Sequence, residues 1–345
     1  MLSFLLYLLL AVVSTGVVWW GSDRMEHASE RISRYFQLPG VVQGAIIVAL
    51  GSSFPEFSTV LVSTLVHGTF ELGVSAIVGS AIFNILFIPA LANFGATARM
   101  GSTRSLVYKE AQFYIISVAC LLLMFCFAVI YYPVEGPELA IRGEITRLIA
   151  TFPILLYGLY VFVQYKDSMD HSAPGEPDPE EISLPTQLGY LLISLIVILV
   201  GVEGLIRSAL EFGDRFGAPS WLWGVTIVAA GTSIPDLFIS IRAAQENRAI
   251  TSMANVFGSN IFDLLICIPT GVLIAGPSVI NFTIAAPLMG ILIVATVVLF
   301  AFLRTDMTLS YSESWILVLI YLAFVAWMAL ESFGVINVMR GLPPA

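Results

Sequence analysis

Four short blocks of polar residues lie inside long apolar runs, and their side chains are those that bind a hard cation. Their sequences are GSSFPE at 51–56, GSAIFN at 79–84, GTSIPD at 231–236 and GSNIFD at 258–263. They offer carboxylate, hydroxyl and amide oxygens and contain no His, Cys or Met. Calcium takes six to eight oxygen ligands at about 2.3–2.6 Å, and oxygen-only ligation selects hard cations. The blocks therefore predict a cation site, with calcium as the best-matched ion.

The first and third blocks each place a proline directly before an acidic residue. Residues four apart share a helix face, which aligns Ser52 with Glu56 and Thr232 with Asp236. Proline within a helix removes one donor and clashes with the carbonyl four residues back. We therefore predict that Pro55 and Pro235 break their helices and release carbonyl oxygens. At membrane depth such carbonyls are tolerated where they face a cavity or an ion.

Composition identifies the elements that must position these blocks as membrane-spanning helices. Of 345 residues, 58% are hydrophobic and only 11% are charged, whereas a soluble domain carries about 25% charged residues. The net charge of -9 does not favour nucleic-acid binding, which needs clustered Lys and Arg. The three cysteines lie in apolar runs, which favours buried thiols over disulfides or zinc ligation.

Ten apolar runs reach the roughly 20 residues that a helix needs to cross the hydrocarbon core. We predict an all-α membrane protein whose first run is a retained span and not a cleaved signal. The predicted spans are 2–23, 40–66, 70–95, 107–132, 145–165, 186–210, 219–243, 252–275, 280–303 and 312–333.

The two halves of the chain repeat each other. Residues 51–56 match 231–236 at a separation of 180, and the same separation relates Pro39 to Pro219 and Asp23 to Glu203. Because each half has five spans, an odd number, the second half enters the membrane in the opposite sense. We predict two inverted repeats of five helices, 1–166 and 186–345, joined by an acidic, proline-rich linker at 167–185. The polar blocks fall within 40–92 and 220–272.

Loop charges predict the orientation. Loops after odd-numbered spans carry ten Lys and Arg residues, and the even loops with the C-terminal tail carry five. The positive-inside rule then places the odd loops in the cytoplasm and both termini outside the cell. We expect a monomer in the plasma or inner membrane, with the lipid bilayer as its environment.

The four blocks, in this order and spacing, resemble the two alpha-repeats of the sodium/calcium exchanger family. The resemblance covers 40–92 and 220–272 closely and the ten-span plan covers the rest. It implies antiport of Na⁺ against Ca²⁺ by alternating access at one midplane site, with the first and sixth spans sliding across a fixed core. No resident cofactor is implied, since Ca²⁺ and Na⁺ are cargo.

The resemblance also implies a ligand set. Glu56 and Asp236 are the expected central calcium ligands, joined by Ser52, Thr232 and the carbonyls of Ala49 and Ala229. Sodium is expected to use these together with Ser53, Ser80, Asn84, Ser233, Ser259 and Asp263.

Some residues depart from the usual family pattern. Ser52 stands where the family usually has Thr, and Phe54 is bulkier than usual. Asp236 pairs with Glu56, where a second Glu is usual, and Asp263 is Asp and not Asn, a combination that resembles the potassium-dependent branch. Potassium co-transport and proton/calcium exchange therefore stay open as alternatives.

Other functions fit the sequence less well. An intramembrane aspartyl protease needs two apposed aspartates sharing a proton, and the hydroxyl-rich blocks would then have no role. Zinc proteolysis lacks its His-Glu-x-x-His signature, so we do not expect an enzyme. A channel is disfavoured by the inverted repeat. Outside the blocks, Glu203 and Arg207 are expected to form a local ion pair, and Asp23, Glu26 and Glu30 a solvated loop face.

Overall fold

A computed structural model describes residues 2–36, 49–97, 100–104, 106–135, 140–171, 182–333 and 335–336. Its helices are named here in chain order. They are α1 (Leu2–Tyr35), α2 (Ala49–Ser52), α3 (Phe54–Leu65), α4 (Phe70–Gly95), α5 (Leu106–Tyr131), α6 (Arg147–His171), α7 (Leu184–Phe216), α8 (Ser220–Gln245), α9 (Ala249–Ala275), α10 (Phe282–Arg304) and α11 (Tyr311–Ser332).

The helices confirm an all-helical membrane protein. Among the described residues, nine helices are long and apolar enough to cross a membrane, all of them except α2 and α3. These two short helices occupy the second half of the second predicted span, whose first part, through residue 48, lies outside the described residues. Lipid-facing helices are exposed to the surroundings, whereas α4 is almost entirely buried at the centre of the bundle.

Two small β-sheets join the halves at opposite ends of the bundle. β1 (Met100–Gly101), after the third span, pairs antiparallel with β5 (Thr308–Leu309), after the ninth. β3 (Arg142–Ile145), after the fourth span, pairs with β2 (Pro133–Val134) and with β4 (Ser278–Asn281), which follows the eighth. The end that contains β1 and β5, in loops after odd-numbered spans, is called the odd-loop side here. The opposite end, which contains β2, β3 and β4, is called the even-loop side. Each sheet joins one loop from each half, through β1 with β5 and through β3 with β4, as expected for inverted repeats.

The first helix is longer than predicted. α1 continues to Tyr35, so the expected solvated loop at Asp23, Glu26 and Glu30 is wrong. Met25, Ala28 and Ser29, on the intervening positions, are buried, because this part of α1 packs against the interior of the bundle. The predicted span ends at the first charged residues because it was based on the length of the apolar run. That criterion underestimates the length of a helix with one buried face and one charged face.

The sixth helix also extends beyond its predicted end. α6 runs to His171, so the first five residues of the predicted linker are helical. Residues 172–181 of that linker lie outside the described ranges, and the linker remains a prediction.

The two proline motifs fold differently. The first copy is broken as predicted: α2 ends at Ser52, Ser53 adopts φ -92° and ψ 11°, and α3 begins with Pro55 in its first turn. The prediction of a matching break at Pro235 is wrong, because α8 runs through this proline. A π-helical segment, Gly224–Val228, lies two to three turns before Pro235 in the same helix. The Thr232 hydroxyl donates to Val228 O (3.1 Å) and Ala229 O (3.3 Å), which satisfies carbonyls within this irregular stretch.

Outside the polar core, α1 and α7 pack along each other, and α7 also contacts α3. The expected pair on α7 is confirmed, with Arg207 Nε 2.5 Å from Glu203 Oε1. The other carboxylate oxygen lies 2.8 Å from His67 Nε2 in the α3–α4 connection. This histidine contact, which the sequence analysis did not anticipate, joins α7 to the core on the even-loop side.

Glycine permits a close crossing of α4 and α8 at the centre of the molecule. A Cβ at Gly79 would lie 2.5 Å from Val225 O and 2.9 Å from Ala229 Cβ. A Cβ at Gly224 would lie 2.8 Å from Leu72 O. Both distances to oxygen are shorter than any real carbon–oxygen contact, so the helices approach each other only because both positions lack a side chain.

We expect Gly79→Ala to destabilise the protein by about 1–3 kcal/mol, the usual cost of overpacking a rigid contact. The added methyl group would meet backbone, which cannot move aside as a flexible side chain does. A lower melting temperature in detergent, with a loss of transport, would be the expected result. Gly158→Ala on α6 is the control, because a Cβ there meets nothing within 4 Å in the described chain. Equal melting temperatures for the two variants would show that the crossing tolerates a side chain.

Candidate cation-binding site

The acidic and hydroxyl residues of the four blocks are buried at the crossing of α3, α4, α8 and α9. Glu56 and Asp236 are each 1% exposed and Asp263 is 0% exposed. The same burial holds for the other predicted ligands whose side chains are described: Ser52, Ser53, Ser80, Asn84, Thr232, Ser233 and Ser259. Such groups are costly inside a membrane protein unless they serve a function.

Asp236 is held by donors from two neighbouring helices. Its Oδ2 accepts hydrogen bonds from Ser259 Oγ at 2.8 Å and from Asn84 Nδ2 at 3.2 Å. Asn84 comes from α4 in the first half, whereas Asp236 and Ser259 come from α8 and α9 in the second half. The structure therefore brings together residues 152 positions apart, as the repeat predicted. The other carboxylate oxygen, Oδ1, has no partner among the described residues.

Asn260, which is not among the predicted site residues, fixes the orientation of the Asn84 amide. Its Oδ1 accepts from Asn84 Nδ2 at 3.0 Å. Its own Nδ2 donates to Ala81 O at 3.2 Å and to the Tyr114 hydroxyl at 3.3 Å. With Nδ2 of Asn84 directed at acceptors, Oδ1 of Asn84 is left without a donor in the described chain. The available signal was the alignment of the blocks, in which Asn260 replaces Ala81.

Glu56 and Asp263 lie near each other and near Asp236. The charges of Asp263 and Asp236 act on the Glu56 carboxylate, and Thr232 approaches it without meeting hydrogen-bond geometry. Asp263 begins a second π-helical segment, Asp263–Cys267. Its Oδ1 is approached by Cys267 Sγ at 3.7 Å. Three buried carboxylates thus share one region of low dielectric, where they repel each other unless cations or protons compensate them.

The hydroxyl ligands predicted from the two halves also meet. Ser80 Oγ and Ser233 Oγ are 2.7 Å apart, which joins α4 to α8. Ser52 ends α2 and Ser53 forms the break before α3. Thr232 donates to its own helix, so the Ala229 carbonyl already accepts a hydrogen bond. Ala49 is the first residue of α2, and its side chain is not among those that the structure describes.

The region contains an unusual number of oxygens without donors. Within the described residues, the buried side-chain oxygens of the predicted ligands that have no hydrogen-bond partner are Ser53 Oγ, Glu56 Oε1, Glu56 Oε2, Asn84 Oδ1, Asp236 Oδ1 and Asp263 Oδ2. An unsatisfied buried polar group costs about 1–3 kcal/mol, and more when charged. All are able to accept from a donor or to ligate a cation.

These oxygens suit a cation that takes mixed oxygen ligands. No three acidic, histidine or cysteine side chains in the described ranges are close enough to enclose a metal ion by themselves. Hydroxyl, amide and carbonyl oxygens must therefore complete a coordination shell around one or two carboxylates. Such mixed oxygen shells are typical of calcium and of alkali cations, whereas zinc and copper prefer nitrogen and sulfur.

Comparison with known families and proteins agrees with this chemistry. The family model described as sodium/calcium exchanger protein matches residues 6–166 and 186–330. The inner membrane protein YrbG of Escherichia coli is 26% identical over 267 residues, covering 74% of this chain and 76% of YrbG.

Two solved structures share the fold. The sodium-calcium exchanger NCX_Mj, soaked with Na⁺ and Sr²⁺, superposes with a TM-score of 0.63 at 24% identity, covering 94% of this chain and 97% of that protein. The H⁺/Ca²⁺ exchanger CAX superposes with a TM-score of 0.71 at 16% identity, covering 97% and 88%. The predicted fold of ten transmembrane helices is confirmed by these likenesses.

Proposed function

The chain belongs to the sodium/calcium exchanger family, and from this premise we propose that it exchanges Na⁺ for Ca²⁺ across the membrane. It is a multi-pass membrane transporter of the cation/Ca²⁺ exchanger class and not an enzyme. The finer proposal is that Ca²⁺ and Na⁺ occupy the same buried site in turn. Exchange then follows from the competition of the two ions for one set of oxygens.

The observation that carries the proposal is the group of buried oxygens without donors around Glu56 and Asp236. Both carboxylates are fully enclosed, and they come from opposite halves of the chain. A calcium ion bound between them would supply the missing partner to both at once. Two oxygens on one calcium lie no more than about 5 Å apart, so the proposal requires the carboxylates of Glu56 and Asp236 to come within that distance when calcium is bound.

The remaining oxygens divide between the ions by charge. Two carboxylates balance one Ca²⁺, for which we propose Glu56 and Asp236, with Ser52, Thr232 and the carbonyls of Ala49 and Ala229. Several Na⁺ ions need more separated ligands, which are available further along α4 and α9. We propose for sodium, in addition, Ser53, Ser80, Asn84, Ser233, Ser259 and Asp263.

The position of the protein in the cell follows the same reasoning. We propose the plasma or inner membrane, which the name of the relative YrbG supports. The excess of Arg and Lys in the odd loops supports a cytoplasmic odd-loop side, with both termini outside.

The test is calcium flux into vesicles that contain the purified protein. We expect an imposed sodium gradient to drive calcium uptake against its concentration gradient. An imposed pH gradient alone is expected to drive none, because the proposed exchange moves sodium and not protons. Protein-free vesicles and vesicles with equal sodium on both sides serve as controls.

Two outcomes would replace this proposal with a specific alternative. Uptake driven by the pH gradient and insensitive to sodium would identify a proton/calcium exchanger. Uptake that needs potassium on the same side as calcium, as well as the sodium gradient, would identify the potassium-dependent form. The acids at both Asp236 and Asp263 favour this second alternative over the first.

A further inference from the structure

The two long helices that pack along each other differ in polarity at equivalent positions. At the separation of 180 residues, Ser22, Glu26 and Ser29 of α1 correspond to Val202, Ile206 and Ala209 of α7. The three residues on α7 are fully buried in an apolar cluster. Polar residues at the α1 positions therefore do not follow from the shared architecture and need their own explanation.

Glu26 lies on α1 between the surface and the cation site. It is partly exposed, yet its charge interacts with that of Asp236, which is 1% exposed. Its Cα is 3.5 Å from the position of a Cβ on Gly51, the residue just before the predicted ligands Ser52 and Ser53. Within the described residues, no donor forms a hydrogen bond or ion pair with the Glu26 carboxylate. Glu26 is thus a partly exposed acid on a part of α1 whose backbone contacts Gly51, and its charge acts on that of Asp236.

Two serines of α1 add polar groups to the region where α1 contacts Gly51. Ser29 Oγ is 3.4 Å from the Cβ position of Gly51. Ser22, one turn before Glu26, is 1% exposed and its hydroxyl has no partner in the described chain. An unpartnered buried hydroxyl beside an unpartnered carboxylate favours a site that water or a cation occupies.

The equivalent contact in the second half has an apolar residue of α7 where α1 has Glu26 and Ser29. A Cβ on Gly231 would meet the methyl groups of Leu205 of α7 at 3.0 Å and Thr15 Oγ1 of α1 at the same distance. Nearby, His67 holds Glu203 at 2.8 Å, and Arg207 binds the other oxygen of this carboxylate. Glu203 therefore has hydrogen-bond partners in His67 and Arg207. The charges that act on Glu26 are those of Asp23, Glu30, Asp236 and His27.

We propose that Glu26 forms a staging site on α1 that collects calcium entering from the odd-loop side before the ion reaches Glu56 and Asp236. A negative charge in a cleft of low dielectric raises the local cation concentration and the rate of entry. The proposal rests on the function proposed above. It adds a residue that affects entry from one side only and that is not a ligand of the transported state.

The experiment compares calcium uptake by wild type and Glu26→Gln in vesicles of known orientation. A protease-sensitive tag after the last helix reports the orientation, since both termini lie on the even-loop side. We expect Glu26→Gln to raise the half-saturating calcium concentration on the odd-loop side on the order of threefold to tenfold at low ionic strength. The maximal rate, and the half-saturation on the even-loop side, are expected to stay as in wild type. Raising the ionic strength with choline chloride should shrink the difference.

Two further variants separate charge from packing. Glu246→Gln, which removes an acid from an exposed ion pair with Arg248 at the odd-loop end of α8, is the matched control and should leave uptake unchanged. Glu26→Asp keeps the charge and should behave as wild type. If Glu26→Gln fails to fold, a normal half-saturation in Glu26→Asp together with a raised one in Glu26→Ser would support the same role.

The outcomes distinguish this proposal from the one on which it rests. If wild type exchanges calcium for sodium but Glu26→Gln has unchanged half-saturation on the odd-loop side, the staging site is wrong and the exchange stands. An equal change on both sides would also overturn it, because it would place Glu26 in the transport site itself. If wild type shows no calcium flux under a sodium gradient, the proposed exchange fails first.

Discussion

Replacing Glu56 with glutamine or Asp236 with asparagine is expected to abolish calcium exchange while leaving the protein folded. Each substitution removes one of the two charges proposed to balance calcium. Loss of a group that only supports a metal ligand costs about 10–100-fold in affinity, so loss of the ligand itself should cost on the order of 100-fold or more. The measurement is calcium uptake driven by sodium, for each variant, over a range of calcium concentrations.

We expect both variants to fold, because a buried carboxylate with no cation bound to it lowers the stability of the folded protein. Both oxygens of Glu56 lack donors among the described residues, and a neutral amide of similar shape costs less to bury than an unpaired charge. We expect melting temperatures without calcium to equal or exceed that of wild type. Calcium should raise the melting temperature of wild type, since a ligand that binds only the folded state stabilises it, and should not raise that of either variant.

Glu246→Gln is the control for both variants. Glu246 directly follows α8, the helix that carries Asp236, and it pairs with Arg248 in an exposed position. This control should transport as wild type does. Normal transport by Glu56→Gln or Asp236→Asn would show that the central ligands are wrongly assigned.

Replacing Asp263 with asparagine is expected to change the dependence on monovalent cations more than the binding of calcium. Calcium is balanced by two carboxylates, and Asp263 supplies a third negative charge that is available to a sodium or potassium ion. Its equivalent in the first half is Asn84, so the variant has a neutral amide at both positions. We expect the half-saturating calcium concentration to change by less than about tenfold, a free-energy difference below about 1.4 kcal/mol. The concentration dependence on sodium or potassium should shift by more.

The measurement is sodium-driven calcium uptake at varied sodium and at varied potassium. Asp306→Asn is the matched control, because Asp306 lies in the exposed α10–α11 connection with φ 53°, a left-handed conformation that asparagine also adopts. Unchanged sodium and potassium dependence in Asp263→Asn would count against its assigned role. Complete loss of calcium transport would instead make Asp263 a calcium ligand.

The repeat allowed the sequence to predict that polar residues of the two halves converge, although not which of them pair. Asn84 and Asp236 are in hydrogen-bond contact at 3.2 Å, and Ser80 touches Ser233. These contacts follow from two similar halves that cross in opposite senses, so local similarity carried information on long-range pairing. The repeat led to a wrong prediction of a helix break at Pro235, because equivalent motifs were expected to have the same backbone conformation.

The details of the site depend on contacts that no local pattern contains. Asn260 has a role because its amide reaches Ala81 and Tyr114 across two helices. The partly buried position of Glu26 depends on α1 continuing for three turns beyond the predicted span and packing against Gly51. The sequence did not reveal the buried face of that helix, because charged residues on the opposite face end the apolar run.

The amino-acid sequence alone determined the membrane class, the repeat and the identity of the buried acids, because the cost of placing polar groups in a hydrocarbon environment depends on residue type. Only the tertiary structure decided that one proline motif is broken and the other is continuous, which oxygens lack donors, and that the backbone at Glu26 packs against Gly51. These properties depend on distances of about 3 Å between helices, and such distances result from the packing of side chains far apart in the chain.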